Sequence, residues 1–165
     1  MLNKNNNTKE YSRAPGLDDL LKVCRFLNEN DTKYIVIGGM AMINLGYLRA
    51  TEDIDLIVES SYENQDRLKN ALSNLPDKAI NDLNEDDLDK YIVVKVADEI
   101  VIDLMKKAGG YEYDDMENEI EIKEIEGVKI PFASAGLLYK LKKDTMREKD
   151  KMDLLFLKEF LNIKD

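Results

Sequence analysis

Histidine is absent from this chain of 165 residues, and the absence removes several chemistries at once. Without imidazole there is no Ser-His-Asp triad, no His-ligated zinc and no histidine general base. Cysteine occurs once, at Cys24, so no internal disulfide can form. Cys24 falls in the helical pattern of Leu17, Leu20, Leu21 and Leu27, which predicts a small core residue rather than a nucleophile. No apolar run approaches the ~20 residues of a membrane span. The segment Met1-Leu2-Asn3-Lys4-Asn5-Asn6-Asn7 lacks the apolar core of a signal peptide. The expectation is a cytoplasmic protein with no membrane partner. Excess positive charge is missing too: a formal net charge of −10 argues against broad, nonspecific nucleic-acid binding.

What is present fits a soluble globular domain. Hydrophobic residues make up 44% of the chain and charged residues 35%, the balance of a packed core under a hydrated surface. The length suits one domain over residues 16–165, preceded by a polar, Asn-rich tail over 1–15 that is expected to be mobile. Charge is uneven. Residues 77–89 carry six acids and one lysine, and residues 112–126 carry eight acids and one lysine. Residues 140–153 are the basic stretch, with six bases against four acids. Such runs are solvated faces, or, for the basic one, a face toward a phosphate-bearing ligand.

Periodicity predicts the elements. Helical spacing covers 17–29, with Asp18 and Asp19 in the first turn, where the helix dipole favours acids. A short apolar strand over 34–38 leads into a short helix from Gly39 to Leu45, stopped by Gly46. A second strand covers 54–58, and an amphipathic helix covers 62–74, before Pro76. Strands over 91–97 and 100–105 are joined by a tight turn at Asp98-Glu99, and strands over 119–125 and 128–132 turn at Gly127. Ser134 caps a helix reaching about Met146, and a last helix runs from about Glu148 to Leu161. Helices flanking a small mixed sheet give an α+β or α/β class.

Three carboxylates carry the chemical signal. Along the strand that begins Asp53-Ile54-Asp55-Leu56-Ile57-Val58, alternation puts Asp53 and Asp55 on one side and Ile54, Leu56 and Val58 on the other. In Ile100-Val101-Ile102-Asp103-Leu104-Met105, Asp103 interrupts a strongly apolar strand. A carboxylate there costs several kcal/mol unless something compensates it. Asp103 is then either an edge-strand residue reaching solvent or a third metal-site carboxylate. Three hard oxygen ligands suit Mg²⁺ or Mn²⁺. Two such ions about 3.5–4 Å apart can activate an attacking oxygen and stabilise a leaving pyrophosphate. Asp103 would be the general base for that oxygen. A calcium loop is excluded, because Leu56-Ile57-Val58 supplies neither the further oxygens nor the glycine. An aspartyl-phosphate site is disfavoured, because these acids precede the apolar run instead of following it. Gly38-Gly39 is neither a P-loop nor a dinucleotide fingerprint, since no Gly-Lys-Ser/Thr and no third glycine follow. It is a turn, or, directly after a strand and before a helix, a phosphate-holding turn.

Together these elements resemble the nucleotidyltransferase superfamily of the DNA polymerase β type. Its signature is a strand, a Gly-Gly or Gly-Ser turn, a short helix, Asp-x-Asp on the next strand and a third carboxylate on a later one. More narrowly, Gly38-Gly39-Met40-Ala41 and Gly46-Tyr47-Leu48-Arg49-Ala50-Thr51-Glu52-Asp53-Ile54-Asp55-Leu56 are similar to the AbiEii-type branch of small prokaryotic nucleotidyltransferases. That branch reads Gly-Gly-x-Ala, then Gly-x-x-Arg-x-Thr-x-Asp-x-Asp-Leu. The resemblance reaches Asp103 and a C-terminal segment, Ser134, Leu138, Lys142, Arg147 and Lys149-Asp150, and so spans residues 34–155 in outline.

The resemblance implies a nucleotidyltransferase fold, a small mixed sheet with flanking helices and a C-terminal helical segment closing the cleft. It implies transfer of a nucleoside monophosphate from an NTP to a hydroxyl or phosphate, releasing pyrophosphate. Gly38 and Gly39 would hold the triphosphate by backbone N–H groups. Asp53 and Asp55 would bind two Mg²⁺ or Mn²⁺ ions, and Asp103 would bind one of them and orient or deprotonate the acceptor. Arg49 would pair with phosphate or with Asp53, or serve as a structural ion pair. Thr51 would fix the strand entry, and Lys142 would neutralise the β/γ-phosphates. Where many relatives have serine, this chain has Gly39, so backbone groups must contact the phosphate alone. Members of the branch are often toxin–antitoxin or phage-defence proteins, some acting on tRNA, so a cognate toxin or antitoxin is an implied partner. Aminoglycoside and lincosamide nucleotidyltransferases share the core, and the acidic runs would suit a cationic small molecule. A non-catalytic nucleotide- or partner-binding module is the third reading.

Overall fold

Seven strands in one mixed sheet and the helices between them make up the architecture. The computed structural model describes residues 2–3 and 12–164. In chain order the elements are β1 (Leu2–Asn3), α1 (Leu17–Glu29), β2 (Tyr34–Ile37), α2 (Gly38–Asn44), β3 (Asp53–Val58), α3 (Tyr62–Leu72), α4 (Asp87–Lys90), β4 (Val94–Ala97) and β5 (Val101–Met105). A two-strand ribbon follows, β6 (Lys107–Ala108) and β7 (Tyr111–Glu112), then α5 (Tyr113–Met116), β8 (Ile120–Ile125), β9 (Val128–Ala133), α6 (Ala135–Lys142) and α7 (Glu148–Leu161).

The main sheet has the order β1-β4-β5-β3-β2-β9-β8. The pairs β1/β4, β2/β3, β4/β5 and β8/β9 are antiparallel, while β3/β5 and β2/β9 are parallel. This is the mixed sheet with flanking helices that the sequence pattern predicts. Its central strands are mostly apolar and buried, the acids of β3 and β5 being the exception. The α1 helix delivers Leu20, Leu21, Val23, Cys24 and Leu27 to the core, which continues through Ile35, Val36, Ile54, Leu56, Leu68, Leu72, Ile102 and Leu104. Each such side chain contributes roughly 1.5–3 kcal/mol by burial. Cys24 is among them, and burial pushes its thiol up to about 12, so it is no nucleophile.

Four details differ from the sequence reading. The helix after β2 opens at Gly38 itself. Residues 91–93 lie outside the strand, and Ile92 is exposed, because α4 ends only at Lys90. The β4–β5 turn holds three residues instead of two: Ala97 faces Val101, and the Asp98 N–H donates to the Ile100 carbonyl. The Asp98 carboxylate sets this turn, accepting N–H bonds from Asp77, Ala79 and Glu99. The helix capped by Ser134 stops at Lys142, well before Met146, and the released segment sends Thr145 and Arg147 to Asp150. The mobile tail expected over 1–15 falls mostly outside the described residues. Of those described, Leu2 and Asn3 pair with Val96 and Lys95, and Arg13 bridges to Ile100.

Candidate active site

The parallel register of β3 and β5 assembles the acids. Asp53 and Asp55 share one face of β3 by alternation, and Asp55 lies directly opposite Asp103. One oxygen from each of Asp53, Asp55 and Asp103 lies within 4.8 Å of the others. Asp103 is therefore buried beside the other two instead of reaching solvent at a sheet edge. Crowding and burial disturb their ionisation. Burial first, then the charges of Asp53 and Asp103, push the Asp55 carboxyl up to about 8. Burial and Asp53 likewise push Asp103 up to about 6, against the opposing pull of Lys95.

Lys95 is the residue that sequence reasoning missed. The three-residue turn places it opposite Asp103, and its Nζ lies 3.0 Å from both Asp103 oxygens and 3.8 Å from Asp53 Oδ2. Burial lowers the lysine's affinity for its proton, but the carboxylates outweigh it and the pKa is raised. A signal did exist. Lys95 is the one charged residue in the run Tyr91-Ile92-Val93-Val94-Lys95-Val96-Ala97.

Gly38 and Gly39 are required by proximity. Gly38 has φ +66°, and a Cβ there would overlap the Asp55 carboxylate. At Gly39 a Cβ would come 2.5 Å from Thr51 Oγ1. The absence of side chains is what lets the first turn of α2 sit against the acids. Thr51 donates its hydroxyl to the Asp53 carbonyl at 3.0 Å, the local bond expected at the strand entry.

The two basic candidates are held elsewhere. Arg49 does not pair with Asp53. Its Nη1 donates to both oxygens of the buried Asp153 of α7, at 2.7 and 2.6 Å. Lys142 pairs at 2.9 Å with both Asp150 and Asp153. Asp150 also accepts from Arg147 Nε at 2.7 Å and Thr145 Oγ1 at 2.9 Å. Burial alone would raise the Asp150 pKa, but Lys142 and Arg147 hold it below the usual carboxylate range. These five charged groups lock the β3 entry loop to the C-terminal helices.

A cleft of ≈ 400 Å³ joins the two clusters. Gly38, Gly39 and the three aspartates line it together with five cations, Arg49, Lys107, Lys142, Arg147 and Lys149. Neither acidic run, 77–89 or 112–126, contributes to its lining. Carboxylates and cations lining one cleft are the donor set that a metal-bound polyanion requires.

The fold agrees with that geometry. No family model matches the chain, and no curated protein sequence does. Solved structures do. A putative nucleotidyltransferase from Thermotoga maritima is similar with TM-score 0.58 and 17% identity, over 90% of this chain and 93% of that one. ANT(2″)-Ia in complex with adenylyl-2″-tobramycin is similar with TM-score 0.55 and 15% identity, over 86% and 87%. An antigenic nucleotidyltransferase-like protein from Paracoccidioides brasiliensis gives TM-score 0.54 and 17% identity, over 90% and 78%. The chain has the nucleotidyltransferase fold over nearly its whole length.

Proposed function

We propose that this protein is a metal-dependent nucleotidyltransferase that moves a nucleoside monophosphate from an NTP to a hydroxyl or phosphate acceptor. The observation that carries the reading is the convergence of Asp53, Asp55 and Asp103 beside the Gly38-Gly39 turn, in a cleft that cations also line. The donor set fits Mg²⁺ or Mn²⁺: three hard carboxylate oxygens, close together, whose mutual repulsion a divalent cation would relieve. Asp53 and Asp55 would hold the metal, with Asp103 completing the set. When bound, it supplies charge neutralisation at the transferring phosphoryl group. The chain's own groups do the rest. Gly38 and Gly39 bring backbone N–H groups close to the site, where side chains would block approach. Asp103, with its raised pKa, is suited to accept the acceptor's proton. Arg49 and Lys142 face the triphosphate from fixed positions, each oriented by Asp153.

The finer reading is an AbiEii-type enzyme of a toxin–antitoxin or phage-defence system, acting on a tRNA end or a protein and paired with a cognate partner. It is supported by the Gly-x-x-Arg-x-Thr-x-Asp-x-Asp-Leu pattern of residues 46–56 and by the cationic cleft. A cationic antibiotic as acceptor has less support, because the acidic runs stand outside the cleft lining. The test is transfer of label from α-labelled ATP, CTP, GTP and UTP, with Mg²⁺ or Mn²⁺, into total RNA, cell protein and an aminoglycoside and lincosamide panel. Transfer into one pool, reduced at least about 10³-fold in Asp53→Ala/Asp55→Ala protein, is expected. NTP binding without transfer to any pool would instead favour a non-catalytic module.

A further inference from the structure

The cations around the site are not equivalent. Arg49 is spent on Asp153, and Lys142 on Asp150 and Asp153. Among the described residues, Lys95 alone forms ion pairs with the carboxylate triad, touching both oxygens of Asp103 and lying 3.8 Å from Asp53. Its ammonium thus lies between the two acids that a second divalent ion would have to bridge. Asp55 is treated differently. Among the described residues no ion pair reaches it, and Lys149 acts on it only through space. The geometry therefore splits the triad: Asp103 is closely engaged at 3.0 Å, Asp53 has the longer 3.8 Å contact, and Asp55 has no ion pair among the described residues. Three carboxylates and one ammonium carry a formal charge of −2, which a single divalent ion neutralises.

We infer that Lys95 is the site's resident cation, which holds Asp103 and limits the nucleotide-free triad to one divalent ion, bound through Asp53 and Asp55. The inference rests on the metal-site reading above. It makes Lys95 a positioning residue: it fixes the Asp103 carboxylate and keeps a second ion from bridging Asp53 and Asp103 until substrate brings additional negative charge. A lysine can do this because its charge sits on a tether. Strand β4 delivers the ammonium to one place, and a rival ion must displace it from two carboxylates at once.

The test is Mn²⁺ binding without nucleotide, followed by electron paramagnetic resonance, on wild type, Lys95→Met, Lys95→Gln and Lys95→Arg, with Asp55→Asn as the reference for the site itself. Thermal melts establish that each variant is folded, and glutamine keeps a neutral donor for Asp103 should methionine disturb packing. One Mn²⁺ per chain is expected for wild type and Lys95→Arg. Two are expected for Lys95→Met and Lys95→Gln, with the spin-coupled signal of ions about 4 Å apart. One Mn²⁺ in all four, lost in Asp55→Asn, would overturn the role of Lys95 and leave the metal site standing. Two Mn²⁺ in wild type would also overturn it. No Mn²⁺ in any of them would overturn the metal reading and this inference with it.

Discussion

Two polar clusters contribute to one cleft, both built from carboxylates and cations but balanced in opposite ways. On β3 and β5, three carboxylates meet one ammonium, and burial together with the excess negative charge makes Asp55 and Asp103 hold protons at pH values where ordinary aspartates have lost them. At the C-terminal helices, Asp150 and Asp153 meet Arg49, Lys142 and Arg147, and every carboxylate oxygen has a cation. The second cluster is a lock whose charges are met within the chain. The first keeps a deficit, which is what suits it to the divalent cation proposed above. Burial alone does not mark a functional acid, since Asp150 and Asp153 are the more buried pair. Incomplete compensation does.

The sharpest way to break this contrast is to open the lock. Asp153→Ala leaves Arg49 without its carboxylate and takes one of two partners from Lys142. A loss of about 3–5 kcal/mol is expected, read as a lower urea midpoint with unchanged slope. An unaltered midpoint would mean that the C-terminal helices are held by packing alone. Gly38→Ala attacks the other side. The added methyl meets Asp55 at a backbone angle that disfavours alanine, so about 1–3 kcal/mol is lost and Mn²⁺ binding falls, while the lock's ion pairs persist. Retained Mn²⁺ affinity would show that the turn can move off the acids.

The last comparison concerns pH. A divalent ion binds the ionised carboxylates, so it must displace the protons that Asp55 and Asp103 retain. Mn²⁺ affinity is expected to rise roughly tenfold per pH unit from pH 6 to 8 and to level off above about 8. Stability of the metal-free protein runs the other way. The folded pKa values lie above those of the unfolded chain, so the contribution is full below about pH 4 and is lost as pH rises through the folded values. Thermal melts of metal-free protein check it, and Asp55→Asn should flatten the slope. A flat affinity profile would show that the triad is ionised without help.

Much of the fold was legible because it follows from local rules. The bounds of α1 and α7, the strands around Asp55 and Asp103, and the β8–β9 turn at Gly127 come from periodicity, caps and glycine, which act over a few residues. The shared face of Asp53 and Asp55 follows from strand alternation. The place of Asp103 was suggested by the cost of an acid in an apolar strand. Lys95 stayed hidden for a specific reason. Its partner depends on whether the β4–β5 turn has two residues or three, and a one-residue slip would have put Ile102 opposite it. Turn length was set by Asp98 gripping the backbone at Asp77 and Ala79, a contact across about 20 residues of chain.

The sequence by itself determined which residues could build helices and strands, and which acids interrupt them, because steric and hydrophobic preferences are written residue by residue. Only the tertiary structure decided which charges meet. It gave Arg49 to Asp153 instead of Asp53, bound Lys142 between two acids, and set Lys95 against Asp103. An ion pair's partner is chosen by distance in space, and distance in space is fixed by sheet register and helix packing, which no single segment carries.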